Sequence, residues 1–363
     1  MIEIDNLDIL KELVKKNEFE KKVFAKNKSY RKHPVKKIIG TLENPKLRPG
    51  SLKYAKYTLR AIINVKNTKN DWFKRIWEER IMDFNDNFNN VIGALGEIRT
   101  LYRLINSNFN VNIVKKDSDK SPDFEACCKE DKSIFIEVFT PRIKNEEEQK
   151  KSSLFQQEKK STSLLDIYTE IIRPTTGETE NIIHFIGRLR NRIVSNKKYA
   201  KQTIDGNYNI LWVDLISDEL NIKKEATKPY VSKKFKNNYI TGNFGLWQSF
   251  YGEPKMKIIK DRTSLKYAQR RDFKELDKPG YFRPTNENPS HKWSGVIFAF
   301  TTGIVLYQNP WANIKLDIKT LKRMIRIEDF NAEYSWFSVN NENIKRKIKL
   351  TINECEEIYN LIL

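Results

Sequence analysis

Between residues 89 and 216 the apolar positions change period from helical to alternating and back, and this limits the folds open to the chain. In 89–105, Val91, Ile92, Leu95, Ile98, Leu101, Tyr102 and Ile105 recur at helical spacing. Gly93, Ala94 and Gly96 are small, so one side of that helix can lie close against a sheet. Segment 109–114 alternates and reads as a strand, and 117–122 has turn chemistry. Segment 123–128 is a short strand, 129–131 a tight turn, and 133–139 a strand of strong β propensity. A long basic helix is expected over 181–202, with Ile182, Phe185, Ile186, Leu189, Ile193 and Val194 on its apolar side, followed by a buried strand over 208–216. Helix, strand, strand, strand, helix, strand predicts an α/β or α+β sandwich with a mixed sheet flanked by helices.

The flanks have a different texture. Residues 1–85 form a basic, mainly helical region; 86–220 hold the core; 221–292 are a basic, aromatic, irregular insertion; 293–363 return to the core. In the last part, strands are expected over 294–301 and 303–307 and helices over 316–324 and 343–363. Residues 71–80 read as an amphipathic helix capped by Asp71, and the charged stretch 143–163 as an exposed segment. Asn309 to Asn313 is a turn following a strand. Tyr239, Phe244, Trp247, Phe250 and Tyr251 are either a stacking platform or the packing of the insertion.

Charge narrows the partner. The sequence has 67 Lys and Arg against 47 Asp and Glu, a net +20, and a field of that sign favours a polyanion, usually nucleic acid. A lysine-rich genome would explain the amount but not the clustering. From Phe24 to Arg60 there are eleven Lys or Arg and one acid, Glu43, interleaved with Tyr30, Tyr54, Tyr57 and three prolines. Lys26, Lys28, Arg31, Lys32, Lys36 and Lys37 suit phosphate contact there; the competing reading is a solvated basic face with tyrosines used for packing. No window is apolar enough for a membrane span, and the first residues lack the pattern of a signal peptide. Cys127, Cys128 and Cys355 make neither a disulfide framework nor zinc spacing, so a reducing cytoplasmic setting is expected. His33, His184 and His291 are scattered without ligand spacing, and no phosphate-binding Gly-x4-Gly-Lys-Ser/Thr loop is present.

The chemistry concentrates in Ser121-Pro122-Asp123, thirteen intervening residues, then Glu137-Val138-Phe139-Thr140. If Asp123 begins one strand of a hairpin and Glu137 ends its partner, both carboxylates leave the same end of the sheet. Two such groups make a hard oxygen site suited to Mg²⁺ or Mn²⁺. The bland alternative is a pair of ordinary acids at strand ends.

Over roughly residues 89–216 this arrangement resembles the PD-(D/E)XK nuclease superfamily, which includes many restriction endonucleases. The resemblance rests on Pro122-Asp123, the Glu137 strand, the acid-bearing helix before them and the helix and strand after them. It implies a restriction-endonuclease-like fold in which Asp123 and Glu137 bind the metal, joined by Glu97 of the first helix. It also implies a metal-dependent endonuclease that hydrolyses DNA phosphodiester bonds, in a restriction or antiviral defence role. One departure matters: where the family carries Lys two residues after the second acid, this chain has Phe139. A lysine relocated to the long helix would restore the function, Lys198 first and Lys201 second; the competing reading is a solvated basic face. A restriction enzyme cutting both strands is ordinarily a symmetric dimer. Two alternatives stay open: a non-catalytic nucleic-acid-binding protein on a decayed nuclease core, and an RNA-processing or RNA-binding protein.

Overall fold

The computed structural model describes residues 2–15, 33–47, 49–82, 88–114, 121–127, 132–141, 188–189, 192–193, 202–216, 222, 224–227, 233–234, 240–241, 246–252, 257–259, 273–275, 279–284, 289–332 and 335–336. The expected turn over 129–131, the segment 143–163, most of 181–202 and the helix over 343–363 lie outside them.

At the centre is a sheet of six strands: β1 (Asn110–Ile113), β2 (Phe124–Cys127), β3 (Ile134–Phe139), β4 (Tyr208–Asp214), β5 (Gly295–Phe300) and β6 (Gly303–Gln308). They lie side by side in chain order. β1–β2, β2–β3 and β5–β6 pair antiparallel, whereas β3–β4 and β4–β5 pair parallel. The sheet is therefore mixed, and the strands expected over 294–301 and 303–307 extend it beside β4.

Every residue of β4, β5 and β6 is buried, as a sheet covered on both faces requires; hence their near-continuous apolar runs. Alternation divides the side chains between two cores. Ile134, Ile136, Val138, Ile210, Trp212, Ile297, Ala299, Ile304 and Leu306 enter the first. Phe139, Leu211, Val213, Val296, Phe298, Val305 and Tyr307 enter the second.

The helices that precede the sheet line the first core: α1 (Ile2–Lys15), α2 (Pro34–Glu43), α3 (Pro49–Thr68), α4 (Asn70–Ile76), a π-helical turn over Trp77–Ile81, and α5 (Asn89–Asn106). α5 packs against α3 as well as against β1, β3 and β4. Packed on two sides, it buries a wide arc that includes the polar Glu97, Arg99, Thr100 and Arg103. Gly96 meets the sheet as its size anticipates. A Cβ there would stand 2.0 Å from Thr140 Oγ1, just past β3. Gly93 instead makes room for Arg80, whose Nη2 lies 3.0 Å from where a Cβ would be.

Two expectations about the N-terminal region change. Asp71 does not cap its helix: α4 starts one residue earlier, Lys69 is the N-cap without a side-chain bond, and Asp71 lies in the first turn. The chain runs from α3 into α4 with too short a break for Asp71 to stand outside, although an acid in a first turn still complements the helix dipole. His33 lies inside the basic stretch 24–60, yet neither the phosphate-contact nor the solvated-face reading of that stretch extends to it. It is fully buried, accepts from the Val35 amide through Nδ1 at 3.2 Å, and so donates from Nε2 to the Ile81 carbonyl at 3.0 Å. That neutral tautomer fastens the start of α2 to the end of the π-helical turn.

The second core is covered by Leu189 and Ile193, α6 (Leu246–Tyr251), Tyr281, Phe282 and Trp293. Trp247, Phe250 and Tyr251 are fully buried, with the Phe250 ring 4.9 Å from Phe282 and 5.3 Å from Tyr307. For these three, packing is the reading that holds; Tyr239 and Phe244 lie outside the described residues. The 309–313 turn forms as expected, with the Trp311 amide on Asn309 Oδ1 at 3.0 Å. It is followed by α7 (Ile318–Met324), capped by Asp317, which accepts from the Thr320 amide at 2.6 Å. No helix among the described residues is long and apolar enough to cross a membrane.

Candidate active site

Asp123 stands one residue before β2, where the ladder to β3 is about to end. Its amide donates to the Ile136 carbonyl at 3.0 Å, and its carbonyl accepts from the Val114 amide at 3.2 Å. Its carboxylate then does what a further backbone carbonyl would have done: Oδ2 accepts from the Val138 amide at 2.8 Å. Backbone and side chain together tie Asp123 to β1 and β3, and it is only 6% exposed. A carboxylate gripped by a backbone amide is held in a fixed direction.

Glu137 lies one residue before that amide. The register ends with Phe124 on Ile136, and Asp123, just beyond it, bonds through its amide and its carboxylate to Ile136 and Val138, the residues on either side of Glu137. Glu137 is 5% exposed, next to β4 through its register with Leu211. Burying a carboxylate here costs several kcal/mol unless it is compensated, and Arg192 Nη1 donates to Oε1 at 3.0 Å. Arg192 also lies over the Phe139 ring, its Cζ 4.7 Å from the centroid, with Arg188 at 5.2 Å. Arg188 and Arg192 are four apart on a helical stretch whose Leu189 and Ile193 are buried in the second core.

Glu97 is on the other side of the sheet, carried by α5. Gly96 places it close to the end of β3, but its carboxylate is held by Arg80, whose Nη1 donates to Oε1 at 2.7 Å and Oε2 at 2.8 Å. Among the described residues no group of three or more His, Cys, Asp and Glu side chains is assembled to hold a metal ion. The hairpin thus brings Asp123 and Glu137 together and Glu97 is directed to Arg80. Lys198, Lys201, Lys26, Lys28, Arg31 and Lys32 lie outside the described residues. Lys36 and Lys37 are half-buried on α2.

A third acid at the same strand ends escaped sequence reasoning. Asp214 closes β4 and is fully buried against Arg99 of α5, which donates from Nε to Oδ2 at 3.2 Å and from Nη2 to the same oxygen. Arg99 Nη1 also reaches Thr58 Oγ1 at 3.4 Å, and its Cζ lies 5.5 Å from the Tyr54 ring centroid. Burial works against the Arg99 charge, but Asp214, followed by the neighbouring tyrosines, outweighs it and raises the guanidinium above its ordinary value. One turn on, Arg103 is buried over Tyr57 at 4.9 Å and donates to the Phe300 carbonyl at 2.7 Å. Tyr54 and Tyr57 of the basic N-terminal stretch therefore pack on core arginines, and burial pushes the Tyr57 hydroxyl up.

Compared with family models, with curated proteins and with solved structures, the chain matches none.

In chemical terms the end of β3 offers two oriented hard-oxygen groups from adjacent strands, beside an arginine. Mg²⁺ is commonly bound through one or two carboxylates, keeping waters and taking up substrate phosphate oxygens. Asp123 and Glu137 fit that donor set.

Proposed function

We propose that this protein is a metal-dependent nuclease that hydrolyses DNA phosphodiester bonds, built on a restriction-endonuclease-like core of the PD-(D/E)XK kind. The observation that carries the reading is the place of Asp123 at one end of a mixed sheet, bonded to Ile136 and Val138, the two residues that flank Glu137. The net charge of +20 supports a polyanionic substrate. A restriction or antiviral defence role, as a symmetric dimer that cuts both strands, follows from the resemblance, and a reducing cytoplasm from the cysteine usage; both belong to the same proposal.

Asp123 and Glu137 would hold Mg²⁺ or Mn²⁺; such an ion, when bound, activates a water and offsets charge on the scissile phosphate. The rest is the work of the chain. The Val138 amide fixes the direction of the Asp123 carboxylate, and the β3–β4 pairing fixes Glu137. Arg192 keeps Glu137 compensated in a buried place, while Arg80 does the same for Glu97, the acid that the resemblance adds to the metal site. No nucleophilic Ser or Cys is required, since water is the attacking group.

A second reading has its own observation. Glu137 and Glu97 each carry an arginine partner, as expected of a nuclease core that has lost its metal and binds nucleic acid, DNA or RNA, without cutting it. Incubation of plasmid DNA with Mg²⁺ or Mn²⁺, with Asp123→Ala and Glu137→Ala beside wild type, separates the two. Cleavage abolished in both variants, with unchanged far-ultraviolet circular dichroism, is the expected result. Cleavage that survives both substitutions removes the assignment, and binding without cleavage in all three proteins favours the second reading. Competition between duplex DNA and single-stranded RNA identifies the substrate.

A further inference from the structure

We infer that Arg192, steadied on the Phe139 ring, is a phosphate-binding residue of this site that exchanges between Glu137 and a phosphodiester of the bound nucleic acid. The inference rests on the proposed function only in taking a phosphodiester as the anion.

Three observations lead to it. Phe139 follows Glu137 by two residues, on the same side of β3, and offers a flat apolar face beside it. Two cations gather on that face: Arg188 and Arg192 both lie within 5.2 Å of the Phe139 centroid. Two like charges four residues apart on a helix repel slightly, and an aromatic face that attracts cations compensates by gathering both guanidinium groups. Arg192 is also within reach of solvent. Its side chain is 21% exposed, against 6% for its partner Glu137, so a ligand can approach the guanidinium more readily than the carboxylate.

The guanidinium is planar, permanently charged and forked, and binds a phosphate through two oxygens as readily as a carboxylate. Stacking on Phe139 preorganises it, so little side-chain freedom is lost when a partner binds. With Glu137 charged, the carboxylate and a phosphate compete for the same fork. Any change that neutralises Glu137 therefore releases Arg192 to the phosphate. That makes Arg192 more than a counter-ion, because Glu137, which already takes Nη1, and the phosphate compete for one cation, and the hold of the first sets what is left for the second.

The test uses metal-free conditions, so it does not depend on cleavage. Binding of a short fluorescent DNA duplex in excess chelator is measured for the full-length protein, Glu137→Gln, Arg192→Ala, Arg192→Lys and the double variant Glu137→Gln/Arg192→Ala. Arg192→Ala is expected to weaken binding roughly tenfold, as for loss of a hydrogen bond to a charged group, and to lower the salt dependence by about one phosphate contact. Arg192→Lys keeps the charge and is expected to recover part of the affinity. Glu137→Gln is expected to tighten binding, and that gain is expected to vanish in the double variant. A gain that persists without Arg192, or unchanged affinity in Arg192→Ala with the fold intact, overturns the inference. Wild type that binds no duplex overturns it too. Absence of cleavage with Mg²⁺ or Mn²⁺ while the cycle behaves as expected ends the nuclease proposal and leaves the phosphate fork standing.

Discussion

Asp214→Ala is expected to destabilise the protein by about 3–5 kcal/mol, the usual cost of leaving one member of a buried ion pair without the other. The structure supplies the terms. Arg99 and Asp214 have side chains 1% and 0% exposed, so water cannot replace what is removed. Taking the Nε to Oδ2 separation of 3.2 Å and an effective dielectric near 20, the gross attraction is about 5 kcal/mol. Thr58 at 3.4 Å and the face of Tyr54 at 5.5 Å remain beside Arg99, and neither carries a compensating charge. Unfolding is followed by urea and by heat, and in a chain of 363 residues a loss of this size lowers the thermal midpoint by roughly 4–7 °C. The companion variant Arg99→Met/Asp214→Leu removes both charges and keeps the volume; it is expected to fall within about 2 kcal/mol of wild type. A loss below about 1 kcal/mol in Asp214→Ala, or a double variant as damaged as the sum of the two single changes, would show that the pair is not what holds α5 to the end of β4.

Two further perturbations address the scaffold. Gly96→Ala sets a methyl carbon 2.0 Å from Thr140 Oγ1 and 3.0 Å from Asp214 Oδ2. Since the latter is locked to Arg99, α5 must move off the sheet; a loss of about 1–3 kcal/mol is expected by urea unfolding, and a neutral variant would refute the close approach. Asp317→Ala removes the cap of α7 and is expected to cost about 1 kcal/mol. Partial burial works against the Asp317 charge, but the Thr320 amide and then the Tyr208 hydroxyl outweigh it and hold the carboxyl below its ordinary value. The stabilisation is therefore complete above the unfolded carboxylate pKa of about 3.9 and is lost as pH falls through the lower folded value. Thermal midpoints of wild type and variant should converge in strong acid and separate at neutral pH; a constant gap would contradict the assignment.

Several elements of the core were legible because they follow from local periodicity. The apolar spacing from Val91 to Ile105 marks α5 closely, and the alternation and β-branched composition around 109–139 mark the three antiparallel strands. That Asp123 and Glu137 come from neighbouring ends of β2 and β3 was also open to sequence reasoning, since an antiparallel pair brings the start of one strand beside the end of the next. The burial of His33 was not legible, because a buried, capping histidine and a solvated one look the same amid lysines. The aromatic residues around 247–251 gave no sign of which surface they cover, and only the second core shows it.

Charge pairing was not legible at all. Glu97 is compensated from 17 residues away, Glu137 from 55 and Asp214 from 115. Nothing in a local pattern selects those partners, because a buried acid needs a cation from whichever element the fold brings against it. Periodicity and hairpin arithmetic thus determined the sheet, the central helix and the two neighbouring carboxylates from the sequence alone. Which arginine meets which acid was decided by the tertiary structure: desolvation makes such pairing necessary, and the packing of distant helices on the strand ends selects the partner.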